Sequence, residues 1–333
     1  MSRDFPLGIH AHVWKEYDID TKDYEVFKSV IRIRTSQGDF ALRKAQVSRE
    51  QMIRMSEVVQ YLRNHSFHVP KIIPNKYGDL FVPTESGMVY LTKWVMGGPL
   101  LLNHQAHLLS MAKGMANMHQ LGFSFTPTHS NYHYLSEETI RDTWNQRIGW
   151  LQKYSKKLKR KGNLTTFEHV LLSYLPFIQE WASDAVVQLQ QWLIEYHSFQ
   201  QLRKTISHGR IHHRNVLLTD YQKLLFLDFH YLSLDSPVRD LAGFIRKYIL
   251  NKEHRTWASQ WIKAYESIVP LNKQEKKLLA IYLMFPERLI TLIQNYEKKS
   301  KDWTSEIYLA KLQTRWGQQK EMLWFVDQNR WLD

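Results

Sequence analysis

The sequence predicts an α+β protein: a small β-rich part over residues 1–95, then a larger, mainly helical part over residues 103–333. Three observations carry this. Residues 25–45 alternate apolar and polar side chains around Gly38, the period of a strand. Ser48 to His65 places Met52, Met55, Val59 and Leu62 at helical spacing. Gly97-Gly98-Pro99 then interrupts the chain, and helical periodicity dominates beyond it.

In chain order, EVFKSVIRIRT and FALRKA flank SQGD and read as one antiparallel hairpin with Gly38 in its turn. Ser48 is placed to cap the helix that follows. After Pro70, KIIP, DLFVP and MVYLTKWV read as short strands, giving a small sheet with one helix laid on it. Residues 96–102 are a glycine hinge. Helices are expected over 104–121, 138–160, 167–198, 238–250, 255–267, 272–298 and 304–326. The exception is 205–232, where NVLLT and KLLFLDF read as two strands joined at Asp220–Gln222.

Composition narrows the classes. No apolar run approaches the roughly 18–20 residues of a membrane span, and MSRDFPLGIHAHVWKEYD lacks the apolar stretch of a secretory signal. Zero cysteines exclude disulfides, thiol catalysis and cysteine-based zinc sites, and suit a reducing cytosol. The net charge of +13 favours an anionic partner or surface, yet no RNA-recognition, zinc-finger or leucine-zipper pattern accompanies it. Its densest basic run, KYSKKLKRK (Lys153 to Lys161), reads as a solvated helix end. Trp257, Trp261 and Trp94 (beside Val95) sit among aliphatics and read as core.

The chemistry concentrates in SHGRIHHRN, residues 207–215. Phosphoryl transfer needs a base to orient the hydroxyl and oxygen ligands for metal ions, and a kinase loop supplies both at the spacing Asp-x-x-x-x-Asn. Here Asn215 closes that frame five positions after Arg210, with His208 and His212 in the same loop. Asp228 ends the apolar strand LLFLDF thirteen residues after Asn215, so a short hairpin would bring an amide and a carboxylate to one hard cation. Read singly, Asn215 caps a turn and Asp228 ends a strand.

HGRIHHRN, LFLDF and SPVRDLAGFIRKY together resemble the aminoglycoside-phosphotransferase and choline-kinase superfamily, whose loop reads H-G-D-x-H-x-x-N. Closer still is the resemblance to its spore-coat protein S branch, in endospore-forming bacteria. It extends to VYLTKWVMGG, AKGMANMHQLGF, TWNQRIGWLQKY and the run from Pro270 to Trp303. The resemblance implies a two-lobed, protein-kinase-like fold with ATP and Mg²⁺ as cofactors. It also implies Asn215 and Asp228 as metal ligands, Asp240 as a structural brace of the loop, and spore-coat proteins as partners. Arg43 falls where the family has its phosphate-pairing lysine, with Lys44 beside it, Glu57 as the helix carboxylate to pair with, and Trp94 in the lobe connection. Both cations also read as ordinary strand-face charges, and Glu57 as a solvated helix carboxylate.

The departures weigh more than the matches. Arg210 stands where the family has its catalytic aspartate, and a guanidinium does not accept a proton near neutral pH. No Asp or Glu lies between it and Asn215. The first hairpin has no glycine between Tyr24 and Gly38, and Asp228-Phe229 is followed by His230 rather than glycine. The expectation is a kinase-fold protein of the spore coat that no longer transfers phosphate, made in the mother-cell cytoplasm. The alternative is an active ATP-dependent phosphotransferase on a small hydroxyl or amine. A nucleic-acid binder rests on net charge alone.

Overall fold

A computed structural model describes residues 9, 13, 15–27, 30–85, 87–128, 132, 136–196, 202–250 and 252–332. The last two residues of the helix expected over 167–198 lie outside them, as does the start of the expected β-rich part, residues 1–8. The chain forms two compact units, Met1–His133 with Lys204–Leu234, and Tyr134–Arg203 with Asp235–Asp333. These units follow packing, whereas the glycine stretch that suggests a boundary in the sequence lies inside the first of them.

In the first unit, strands β1 (Thr21–Phe27), β2 (Val30–Thr35) and β3 (Gly38–Ala45) form an antiparallel meander. Sequence alternation suggests one hairpin over 25–45. The segment EVFKSVIRIRT is instead two strands, paired up to Phe27 opposite Val30. The connection, Lys28-Ser29, carries none of the Gly or Asn signals that mark a two-residue turn. Helix α1 (Arg49–Asn64) follows, its start fixed by a capping box between Ser48 and Gln51. Strands β4 (Ile72–Ile73), β5 (Val82–Thr84) and β6 (Gly87–Lys93) complete a sheet of order β1-β2-β3-β6-β4, with β5 also on β6. Ile31, Ile33, Phe40, Leu42, Val89 and Leu91 bury one face of it.

Gly97–Pro99 is a strand, β7, rather than a bare break. Helix α2 (Gln105–Gly122), β8 (Thr205–Ser207), β9 (Val216–Thr219) and β10 (Leu224–Phe226) finish the unit. β7, β9 and β10 make a three-stranded sheet in the order β10-β9-β7. A Cβ at Gly97 would sit 2.7 Å from the Leu218 carbonyl oxygen, so glycine permits that close pairing. Thr205 Oγ1 donates to the His119 carbonyl at 2.6 Å, tying α2 to β8.

The second unit is helical: α3 (Glu137–Lys159), α4 (Thr166–Tyr196), α5 (Pro237–Tyr248), α6 (Lys252–Glu266), α7 (Lys273–Met284), α8 (Glu287–Glu297) and α9 (Ser305–Asn329). The single helix expected over 272–298 is two, because Pro286 holds Phe285 in an extended conformation and ends α7. Buried carboxylates are met by cations: Arg239 Nε lies 2.7 Å from Asp235, and Arg203 forks onto Glu275.

His254 gives this unit a pH dependence. It is buried, and its Nδ1 accepts from the Leu250 amide at 3.3 Å. Burial holds its pKa below the usual 6.5, with Glu253 opposing weakly. A histidine depressed in the fold takes up its proton first in the unfolded chain. Its contribution is therefore present above about pH 6.5 and is lost as pH falls. Urea unfolding at pH 7 and pH 5 should show a smaller loss of stability in His254→Gln than in the wild type.

Candidate functional site

All but one of the residues singled out as site candidates lie in the first unit, and its hairpin positions the central pair. Val216 pairs with Phe226, and the Leu227 amide donates to the Asn215 carbonyl at 2.8 Å. Asn215 thus stands opposite Leu227, one residue from Asp228. Asp228 adopts a left-handed conformation (φ 65°, ψ 53°), uncommon for a residue with a Cβ, and leads into a 3₁₀ turn over Phe229–Tyr231.

Local hydrogen bonds shape the loop before Asn215. His208 is fully buried; its Nε2 donates to the Leu227 carbonyl at 2.8 Å and its Nδ1 accepts from the Arg210 amide at 3.3 Å. Both ring nitrogens are therefore spent on holding the loop against the hairpin. His212 Nδ1 accepts from the Arg214 amide, and its carbonyl accepts from the Asn215 amide at 2.8 Å. Asn215 Nδ2 donates to the Arg210 carbonyl at 3.2 Å, which turns Oδ1 to the other side.

Arg210 occupies the base position with its side chain exposed. Its guanidinium lies over the Tyr231 ring, 5.1 Å from the centroid, a cation–π contact at the surface. The hydrogen bonds that shape the loop use the Arg210 backbone and not its side chain.

Arg43 Nη1 lies 3.6 Å from Asp228 Oδ1, and His230 Nδ1 lies 3.7 Å from the same oxygen. His230 Nε2 is 2.9 Å from the Tyr90 hydroxyl. Burial pushes the His230 pKa down against the opposing pull of Asp228, so the neutral ring accepts from Tyr90. Burial likewise pushes Tyr90 well up, keeping its hydroxyl protonated as the donor. A hollow of about 20 Å³ touching Arg43 and Asp228 is lined mainly by apolar side chains, Met55, Val59, Ile72 and Leu227 among them.

Other candidates are placed elsewhere. Lys44 alternates to the opposite strand face from Arg43, so the two do not serve one phosphate. Glu57 does not pair with Arg43: it accepts from the Thr128 amide (2.6 Å), Thr128 Oγ1 (2.8 Å) and Tyr132 Oη (2.7 Å), which pin a later segment to α1. Trp94 packs against the Phe27 ring at 5.4 Å and under the Arg32 guanidinium at 5.0 Å, bracing the sheet. Asp240 belongs to the second unit, buried in the first turn of α5, where a carboxylate meets the helix's positive end. Sequence reasoning missed Tyr90, although Arg43 pairs with it directly across the sheet.

The donor set fits a hard cation in kind. Asn215 Oδ1 and the Asp228 carboxylate are oxygens, and Mg²⁺ takes one or two such protein ligands beside phosphate. On the phosphate side, the Arg43 guanidinium stands beside the Asp228 carboxylate at 3.6 Å, and Asp228 stays about one-third exposed. Among the described residues no cluster of three or more His, Asp or Glu is arranged to hold a metal.

Sheet, helix, hairpin and loop in this arrangement define the fold of aminoglycoside phosphotransferases and choline kinases. An aminoglycoside phosphotransferase from Alicyclobacillus acidocaldarius superposes with a TM-score of 0.82 at 15% identity, covering 98% of this chain and 97% of that one. Spectinomycin phosphotransferase APH(9)-Ia, solved with ADP and spectinomycin, gives 0.59 at 12% identity over 95% and 92%. Choline kinase LicA from Streptococcus pneumoniae gives 0.54 at 13% identity over 90% and 94%. Residues 10–328 match the family described as "Spore coat putative kinase YutH", and the chain belongs to that family.

Proposed function

We propose that the chain is a structural and binding component of the spore coat, a kinase fold that no longer transfers phosphate. The observation that carries this is Arg210, exposed over Tyr231 where the family's frame requires a carboxylate. General-base catalysis is worth about 10²–10⁴ in rate, and a fixed cation at that position also opposes the approach of a hydroxyl proton. The Arg43–Asp228 approach supports the same reading, since the phosphate-binding cation and the metal-binding carboxylate neutralise each other.

In this reading the chain is made in the mother-cell cytoplasm and joins the coat through protein partners, in the manner its resemblance to the coat protein S branch implies. One observation favours a second reading, an ATP-dependent phosphotransferase: Asn215 Oδ1 and a one-third exposed Asp228 remain at the hairpin's end. Calorimetric titration with ATP and Mg²⁺, with released phosphate counted and Asp228→Ala in parallel, separates the two. The coat-component reading expects no phosphate release in either protein, with nucleotide absent or held as a static ligand.

A further inference from the structure

The first unit holds a larger hollow, about 660 Å³, that shares only Pro70 with the space around Arg43 and Asp228. Residues 66–71, between α1 and β4, form one wall; Lys93 and Val95, at and beyond the end of β6, and Leu225 of β10 form the rest. That wall is held in place. The Phe226 amide donates to the His68 carbonyl at 3.0 Å, Arg63 Nη1 donates to the Val69 carbonyl at 2.9 Å, and the Phe67 ring lies 5.1 Å from that of Phe226. The hollow is thus part of the fold's framework.

Its lining divides by chemistry. Phe67, Val69, Val95 and Leu225 supply an apolar floor. The charged residues are Arg63, Lys71 and Lys93, with His68 beside them, and no Asp or Glu lines it. Some exposed cations elsewhere find carboxylates, as Lys157 does at Glu297 and Lys161 at Glu168, and others, such as Lys153 and Lys159, do not. Lys71 and Lys93 are exposed and have no ion-pair partner among the described residues.

Resting on the reading of the chain as a binding component, we propose that this hollow docks an acidic, partly apolar peptide segment of a protein partner. Carboxylates meet Lys71, Lys93 and Arg63, and an apolar side chain between them enters onto Phe67, Val95 and Leu225. Charge complementarity selects the carboxylates. The apolar floor selects a peptide over nucleic acid, whose backbone needs a track of cations and whose bases need stacking faces. The volume is that of a small-ligand cleft, which suits a few residues of an extended segment.

Fluorescence anisotropy tests this with a labelled eight-residue peptide of alternating Glu and Leu. A Gln/Leu peptide and the Lys71→Glu/Lys93→Glu protein are run alongside, with oligothymidine as competitor. The Glu/Leu peptide should bind, more weakly as salt is raised. Its affinity should fall roughly tenfold or more in the double variant, and the Gln/Leu peptide should be weaker by a similar factor. Oligothymidine should not displace it. Both lysines are exposed, so an unchanged melting temperature certifies the variant's fold. Absent binding, equal binding by the variant or by the Gln/Leu peptide, or displacement by oligothymidine overturns the assignment. No nucleotide is present, so failure here leaves the titration with ATP as an independent test of the proposed function.

Discussion

Glu275→Ala is expected to destabilise the protein by about 3 kcal/mol, at the lower end of what breaking a buried ion pair costs. Glu275 is fully buried and receives Arg203 Nε at 2.8 Å, Arg203 Nη2 at 2.5 Å and the Asn272 amide at 3.0 Å. Removing it leaves the Arg203 guanidinium without its carboxylate, though still bonded to the Pro270 carbonyl, and opens the capping box that starts α7. The arginine side chain is 39% exposed, so water recovers part of the loss, which places the value low in the range. Urea unfolding should show the midpoint falling with an unchanged slope. Glu275→Gln, which keeps an oxygen for the cap, should lose less. A loss below about 1 kcal/mol would mean the pair is no better than a surface one.

Gly209→Ala should cost about 2–4 kcal/mol, from backbone strain and overpacking together. Gly209 has φ +73°, and a Cβ there would fall 2.2 Å from the Tyr231 carbonyl oxygen, a backbone atom with little freedom to move. Relief requires the loop to lift from the 3₁₀ turn after Asp228, which also pulls the Arg210 amide from His208 Nδ1. Gly243→Ala supplies the contrast. Gly243 lies inside α5 with nothing within 4 Å of the place an alanine methyl would take, so alanine should stabilise by up to about 1 kcal/mol. Thermal melts of the two variants should move in opposite directions.

The parts legible in the sequence are those fixed by short-range pattern. Asn215 and Asp228 are joined by a hairpin whose apolar strands and turn can be read directly, and the loop frame around His208 is local. One misreading is also local: Pro286 marks the end of α7 in plain view. The rest depends on tertiary placement. Glu57 meets Thr128 across 71 residues, and His230 meets Tyr90 across 140, distances over which no periodicity speaks. The two-residue connection after Phe27 lacks turn chemistry, so β1 and β2 read as one strand.

The reading of this chain as a phosphotransferase frame that no longer transfers phosphate stands or falls on turnover. Calorimetric titration with ATP and Mg²⁺, counting released phosphate in the same cell, tests it most directly. No phosphate release above background is expected from the wild type or from Asp228→Ala, whether nucleotide is absent or held as a static ligand. Metal-dependent phosphate release by the wild type that disappears in Asp228→Ala is the opposite result, and it would make the chain a working phosphotransferase.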